Sequence, residues 1–116
     1  LLTQHFLPLL QQASAASIVF TSSTVGRIGQ AYWGAYAVSK FATEGFMQVL
    51  ASELENTSKI RVNSLNPRAT NTAMRRAAYP GENPATNPAP QNIMPAYLFL
   101  MGDDSAGITG KAFDAR

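Results

Sequence analysis

The sequence contains no cysteine, which excludes disulfides, thiolate metal sites and cysteine nucleophiles. It has one histidine, His5. A Ser-His-Asp relay would have to use that residue, and no metal site is expected. His5 lies in the apolar run from Leu1 to Leu10, where a solvent-edge helix position is its ordinary role. Charge is scarce as well: 14% of residues are charged, nine Lys and Arg against seven Asp and Glu, for a net charge of +2. So even and thin a distribution excludes a disordered acidic tail or an extended nucleic-acid-binding arm. Lys59, Arg61, Arg68, Arg75 and Arg76 do share a stretch without acids, and ordinary solvated positions are expected for them. Apolar runs reach only about ten residues, too short to span a bilayer. No basic leader precedes the first leucines. The expectation is a cytoplasmic protein with no membrane or nucleic-acid partner.

What is plentiful is apolar residue, 46% of the 116. A chain of this size buries roughly 65% of its unfolded surface, enough for one core. Residues 1–12 carry a dense leucine pattern interrupted by Pro8 and read as the end of a buried helix. Ala13 to Ser17 reads as a loop and Ile18-Val19-Phe20-Thr21 as a buried strand. Thr24 to Gly34, with three glycines, reads as a loop. From Ala35 to Asn56, Val38, Phe41, Ala42, Gly45, Phe46, Val49, Leu50 and Leu54 recur at three- and four-residue intervals, which predicts one apolar helical stripe. Ile60 to Leu65 alternates like a strand and Pro67 stops it. Strand, helix and strand with short connections make a βαβ unit with parallel strands, so the fold class is α/β. A short helix is predicted over Thr70–Ala78, then a proline-punctuated irregular segment from Pro80 to Pro95. A helix over Ile93–Met101 and a strand over Thr109–Asp114 complete the chain.

Four residues along a helix advance about 6 Å, so Tyr36 and Lys40 share a face. An ammonium at that distance interacts with a phenolate by roughly 3 kcal/mol at an effective dielectric near 20. That brings proton exchange by a phenol toward neutral pH. Ser23 follows the first strand, at the end where open α/β sheets bind ligands. Its hydroxyl is placed to hold a substrate oxygen. Spacing alone leaves open an ordinary helix-surface pair and a turn serine. Ser23 as a hydrolase nucleophile is disfavoured, because no Gly-x-Ser-x-Gly turn surrounds it.

Thr21-Ser22-Ser23, then Gly26 and Gly29, then Tyr36-Ala37-Val38-Ser39-Lys40, resembles the active-site region of the short-chain dehydrogenase/reductases. That family has a serine thirteen residues before the tyrosine of a Tyr-x-x-x-Lys helix, the separation of Ser23 from Tyr36. Arg61-Val62-Asn63-Ser64-Leu65-Asn66-Pro67 is similar to its next strand, and Thr72 matches the threonine beyond its proline. Trp33-Gly34-Ala35-Tyr36, Phe41-Ala42-Thr43-Glu44-Gly45 and Met101-Gly102-Asp103-Asp104-Ser105 look most like the bacterial YciK-like branch. The resemblance implies a Rossmann-like doubly wound parallel sheet and an NAD- or NADP-dependent carbonyl–alcohol oxidoreductase. In it Tyr36 would be the acid/base, Lys40 would assist it and hold the nicotinamide ribose, and Ser23 would orient the substrate oxygen. Pro67 and Thr72 would lie against the nicotinamide and nearby phosphate, and the Pro80–Pro95 segment would be the substrate loop. The substrate would be a small carbonyl or alcohol. Homo-oligomerisation would run through the helices at 1–12 and 35–57.

Two departures from the family pattern stand out. Arg68-Ala69 follows Pro67 where the family has glycine, so that either a side chain crowds the nicotinamide or Arg68 points away. No Gly-x-x-x-Gly-x-Gly phosphate loop occurs. The expectation is therefore that residues 1–116 are the C-terminal portion of one dehydrogenase domain, without its dinucleotide-binding half and inactive alone. The competing expectation is a non-catalytic dimerisation module that keeps the interface helices.

Overall fold

The computed structural model describes residues 2–116. Its regular elements are α1 (Leu2–Gln12), β1 (Ala16–Thr21), α2 (Gly34–Leu54), β2 (Ile60–Asn66), α3 (Ala73–Ala78), α4 (Met94–Met101) and β3 (Ala112–Asp114). Short 3-10 turns fill Thr24–Gly26, Pro84–Thr86, Pro90–Ile93 and Asp103–Ser105. The three strands form one parallel sheet in the order β1-β2-β3, with Ala16 opposite Ile60 and Thr21 opposite Leu65. Parallel strands need long crossovers, and here these carry helices to both faces of the sheet. On one face Ala16, Ile18 and Phe20 pack on Met47, Leu50, Ala51 and Leu54 of α2, with Leu7 and Leu10 of α1 beside them. On the other, the Ser17 hydroxyl donates to the Leu100 carbonyl of α4 at 2.7 Å, and Thr21 and Tyr97 share a hydrogen bond of 2.9 Å. The α/β class and the βαβ unit are as expected. No helix among the described residues is long and apolar enough to cross a membrane.

Besides α1, which was expected to be buried but has no buried residue among those described, four expectations need correction. The single apolar stripe of α2 is two faces. Ala37, Glu44, Met47, Leu50, Ala51 and Leu54 are buried, whereas Val38, Phe41, Phe46 and Val49 are exposed. A helix with apolar residues on more than one side cannot be oriented by its periodicity. Second, β1 begins at Ala16, inside the expected loop, and is only half-buried, because no strand among the described residues pairs with its outer edge. Third, β2 is buried at every position, polar ones included. Arg61 is therefore not solvated: its guanidinium donates to Ser105 Oγ and to the Gly102 carbonyl. Asn63 Nδ2 donates to the Ile108 carbonyl at 2.9 Å and Asn63 Oδ1 accepts from Lys111 N at 3.0 Å. The central strand thus satisfies the backbone of the 102–111 segment, which buried polar groups require. Fourth, β3 starts only at Ala112. Before it, Thr109 Oγ1 accepts from Val62 N, and Gly110 takes φ 69°, a conformation that favours glycine.

Candidate active site

Because β1 and β2 are parallel, their C-terminal ends lie side by side, and the chain leaving each one lines the same cleft. Ser22 N extends the ladder by donating to the Leu65 carbonyl at 2.8 Å. Ser23 then turns out, extended at φ −157° and ψ 160°, and its Oγ accepts from Val25 N at 3.4 Å to cap the 3-10 turn. That turn packs tightly on α2. A Cβ at Gly26 would meet Ser22 Oγ at 2.9 Å and the Lys40 carbonyl at 3.0 Å, so glycine is needed for the approach.

The packing sets Tyr36 and Lys40 against the end of β1. Lys40 Nζ donates to the Thr21 carbonyl at 3.1 Å and lies 5.7 Å from the centre of the Tyr36 ring. Across the cleft, Pro67 ends β2, and the Thr72 hydroxyl caps α3 by accepting from Arg75 N at 3.1 Å. This cap is why α3 starts at Ala73 rather than at Thr70. Ser23, Tyr36, Lys40, Pro67 and Thr72 all line one open cleft of about 850 Å³. All five residues singled out from the sequence are brought together.

Arg68 takes φ 58°, the left-handed region where glycine is favoured. Its amide donates to Asn66 Oδ1 at 2.9 Å and its guanidinium pairs with Asp114 at 3.2 Å. Of the two outcomes left open for this residue, the ion pair directs the charged group to β3.

Several residues that line or brace the site were not singled out from the sequence. Arg27, in the loop after Ser23, donates to Glu44 at 3.0 Å, to Asp114 at 2.9 Å and to the Phe113 carbonyl at 3.0 Å. Glu44, one turn beyond Lys40, also accepts from the Ser64 hydroxyl at 2.7 Å. Burial raises the affinity of the Glu44 carboxyl for a proton, but the Ser64 hydroxyl and the Arg27 guanidinium outweigh it and hold the pKa below the ordinary value. Asp114 behaves alike: burial pushes it up, and Arg68, Asn66 and Arg27 bring it lower than usual. The network clamps the Ser23 loop, the Tyr36 helix and the ends of β2 and β3 to one another. Its partners are 17 and 87 positions apart, so no local pattern announces it. The one signal was an acid set among Phe41, Ala42, Gly45, Phe46 and Met47.

The second group is aromatic. Trp33 meets Tyr36 edge-on at 5.6 Å between centroids and Tyr79 at 5.8 Å. The Arg75 guanidinium lies 3.7 Å over the Tyr79 ring and donates twice to Glu82, each at 2.8 Å. That pairing holds the Glu82 carboxyl down to about 2.

A family model for short chain dehydrogenases matches residues 1–83. The chain is 59% identical to the uncharacterized oxidoreductase YciK of Escherichia coli (strain K12), over 100% of this chain and 45% of that protein. A solved short chain dehydrogenase from Pseudomonas syringae superposes with a TM-score of 0.97 at 63% identity, covering 99% of this chain and 47% of that one. Another, from Escherichia coli CFT073 and complexed with NADPH, gives a TM-score of 0.95 at 59% identity, over 99% and 47%. The chain spans about half the length of the relatives it matches.

Proposed function

The chain belongs to the short chain dehydrogenase family, and from that premise we propose that the complete protein is an oxidoreductase interconverting carbonyls and alcohols. Residues 1–116 are then the C-terminal part of one dehydrogenase domain, with the dinucleotide-binding half supplied by sequence outside them. The observation that carries this reading is the meeting of Ser23, Tyr36 and Lys40 with Pro67 and Thr72 on one cleft at the C-terminal end of the sheet. The protein works in the cytoplasm, where nicotinamide dinucleotides are held.

The donors in the cleft suit the nicotinamide end of such a cofactor. Lys40 has one proton on the Thr21 carbonyl and two left for ribose hydroxyls. Thr72 accepts from Arg75 N and keeps its own proton to donate. Arg68 lines the cleft with its guanidinium engaged by Asp114. NADP is the form assigned, supported by the NADPH complex of the Escherichia coli relative. When bound, the cofactor supplies or receives the hydride. Ser23 holds the substrate oxygen, and Tyr36 gives its proton to that oxygen during reduction and takes it back during oxidation. The Lys40 ammonium offsets the charge left on Tyr36 once its proton has passed to the substrate, until solvent returns a proton for the next reduction. In the complete protein Tyr36→Phe should abolish NADPH-dependent carbonyl reduction while NADPH affinity changes less than about threefold, since hydride acceptance needs the proton and binding does not. Undiminished turnover would overturn the assignment.

One observation favours a second role for the same chain. Leu2, Phe6 and Leu9 of α1 and Val38, Phe41 and Val49 of α2 are exposed, and soluble surfaces seldom leave such patches uncovered. We propose that these faces pair two copies of the protein. Alone, the 116-residue chain is then an association module without activity. Tight NADPH binding by the isolated chain would contradict that second reading and leave the first intact.

A further inference from the structure

Resting on the oxidoreductase reading, we propose that the cleft selects a neutral substrate whose carbonyl carries a flat aryl group, seated against a shelf made by Trp33 and Tyr79. Three observations point there. The first is position. Trp33 precedes α2 and packs edge-on against Tyr36 at 5.6 Å, so an aromatic surface begins beside the group that exchanges the proton. It continues to Tyr79, the residue after α3, whose ring is tilted 33° from Trp33. Two separate elements build it, so it is not a by-product of one helix.

The second is rigidity. Tyr79 is capped by the Arg75 guanidinium at 3.7 Å, and Arg75 is locked by both oxygens of Glu82. Asn87 donates to Glu82 at 2.9 Å. The proline-punctuated segment therefore acts as a brace for Tyr79. An aromatic wall that is already ordered loses little entropy on meeting a ligand.

The third is charge. Among the described residues no acid lines the cleft, so a cationic substrate meets no carboxylate there. Of the cations there, Arg68 is paired with Asp114 and Arg75 with Glu82, Arg116 donates to the Ala69 carbonyl, and Lys40 holds the Thr21 carbonyl. An anionic substrate would have to compete with Asp114 for Arg68, with Glu82 for Arg75 and with the cofactor ribose for Lys40, which leaves only Arg116 without a rival. Part of the remaining wall is apolar and pliable, with Met74 and Met94 exposed to the cleft.

The test uses the complete protein with NADPH and three aldehydes or keto compounds: benzaldehyde, heptanal and benzoylformate. The expected kcat/KM for benzaldehyde exceeds that for heptanal about tenfold. It exceeds that for the carboxylated benzoylformate by about tenfold as well, because a carboxylate seated there gives up water for cations that are mostly engaged already. Trp33→Leu and Tyr79→Leu should each collapse the benzaldehyde-to-heptanal ratio toward about one. Equal rates for benzaldehyde and heptanal, or a preference for benzoylformate, would sink the shelf while leaving the oxidoreductase reading standing, provided that Tyr36→Phe still inactivates the protein. Reduction of none of the three by a protein that binds NADPH would tell against the oxidoreductase reading instead. In that case saturable quenching by benzaldehyde of the emission lost in Trp33→Phe still decides the shelf: quenching supports it, and its absence overturns it.

Discussion

The two long strands of the sheet invert what their composition suggests. β1, Ala-Ser-Ile-Val-Phe-Thr, is the more apolar, yet none of its residues is buried. β2, Ile-Arg-Val-Asn-Ser-Leu-Asn, is polar at four of its seven positions and buried throughout. The difference is one of place. β2 has a strand on each side and helices above and below, and its polar side chains are satisfied by α2 and the 102–111 segment. β1 has a strand on one side only. Residue type states what a strand tolerates, and neighbours decide what it buries. A half-buried apolar strand is also what remains when a chain spans about half the length of its relatives.

Three experiments would break or sharpen that contrast. The largest effect is expected at the polar centre of β2. Asn63→Ala in the complete protein leaves the Ile108 carbonyl and the Lys111 amide without partners, at a cost of about 4 kcal/mol. Ser17→Ala in β1 removes one part-buried hydrogen bond and should cost about 1 kcal/mol. Urea unfolding measures both, and equal shifts in the midpoint would erase the distinction.

The next effect concerns the open edge. Amide hydrogen exchange on the isolated 116-residue chain should show the outward amides of β1 exchanging at least about tenfold faster than those of β2. Light scattering should show the same chain associating, because an unpaired edge and exposed apolar helix faces invite it. A monodisperse chain with uniformly protected strands would mean that β1 needs no further neighbour.

The smallest effect tests the network that joins α2 to β2. Folding lowers the pKa of Glu44 below 4.5. Its stabilising contribution is therefore fully present above that value and is lost as pH falls through the folded-state pKa. Glu44→Gln should reduce stability at neutral pH by about 1 kcal/mol and flatten the acid limb of the stability profile. An unchanged acid limb would show that the carboxyl titrates alike in both states.

The order of elements was legible in the sequence because each is set by local pattern: alternation for β2, three- and four-residue spacing for α2, proline after both β2 and α3. The five candidate site residues were legible through resemblance to the family's motifs, not through spacing alone, and the parallel sheet brings them together. What local pattern could not carry was orientation and long-range pairing. The apolar face of α2 that meets the core could not be told from the one that does not, since Val49 and Leu50 look alike on paper. The burial of Arg61 depended on Ser105, 44 positions away. The Trp33–Tyr79 shelf required α3 to end where Pro80 ends it.

The left-handed turn at Arg68 has a mechanical consequence. Holding a side-chain-bearing residue at φ 58° costs about 1 kcal/mol, and the turn keeps its shape because Asn66 grips its amide and Asp114 its guanidinium. Glycine would sit there without strain but also without a handle. The arginine bolts the floor of the cleft to the last residue of β3, and through the shared Asp114 to Arg27 and the serine loop. Floor, rim and sheet end are thereby one lever, so a shift of β3 is felt at the cleft rather than absorbed by a flexible turn.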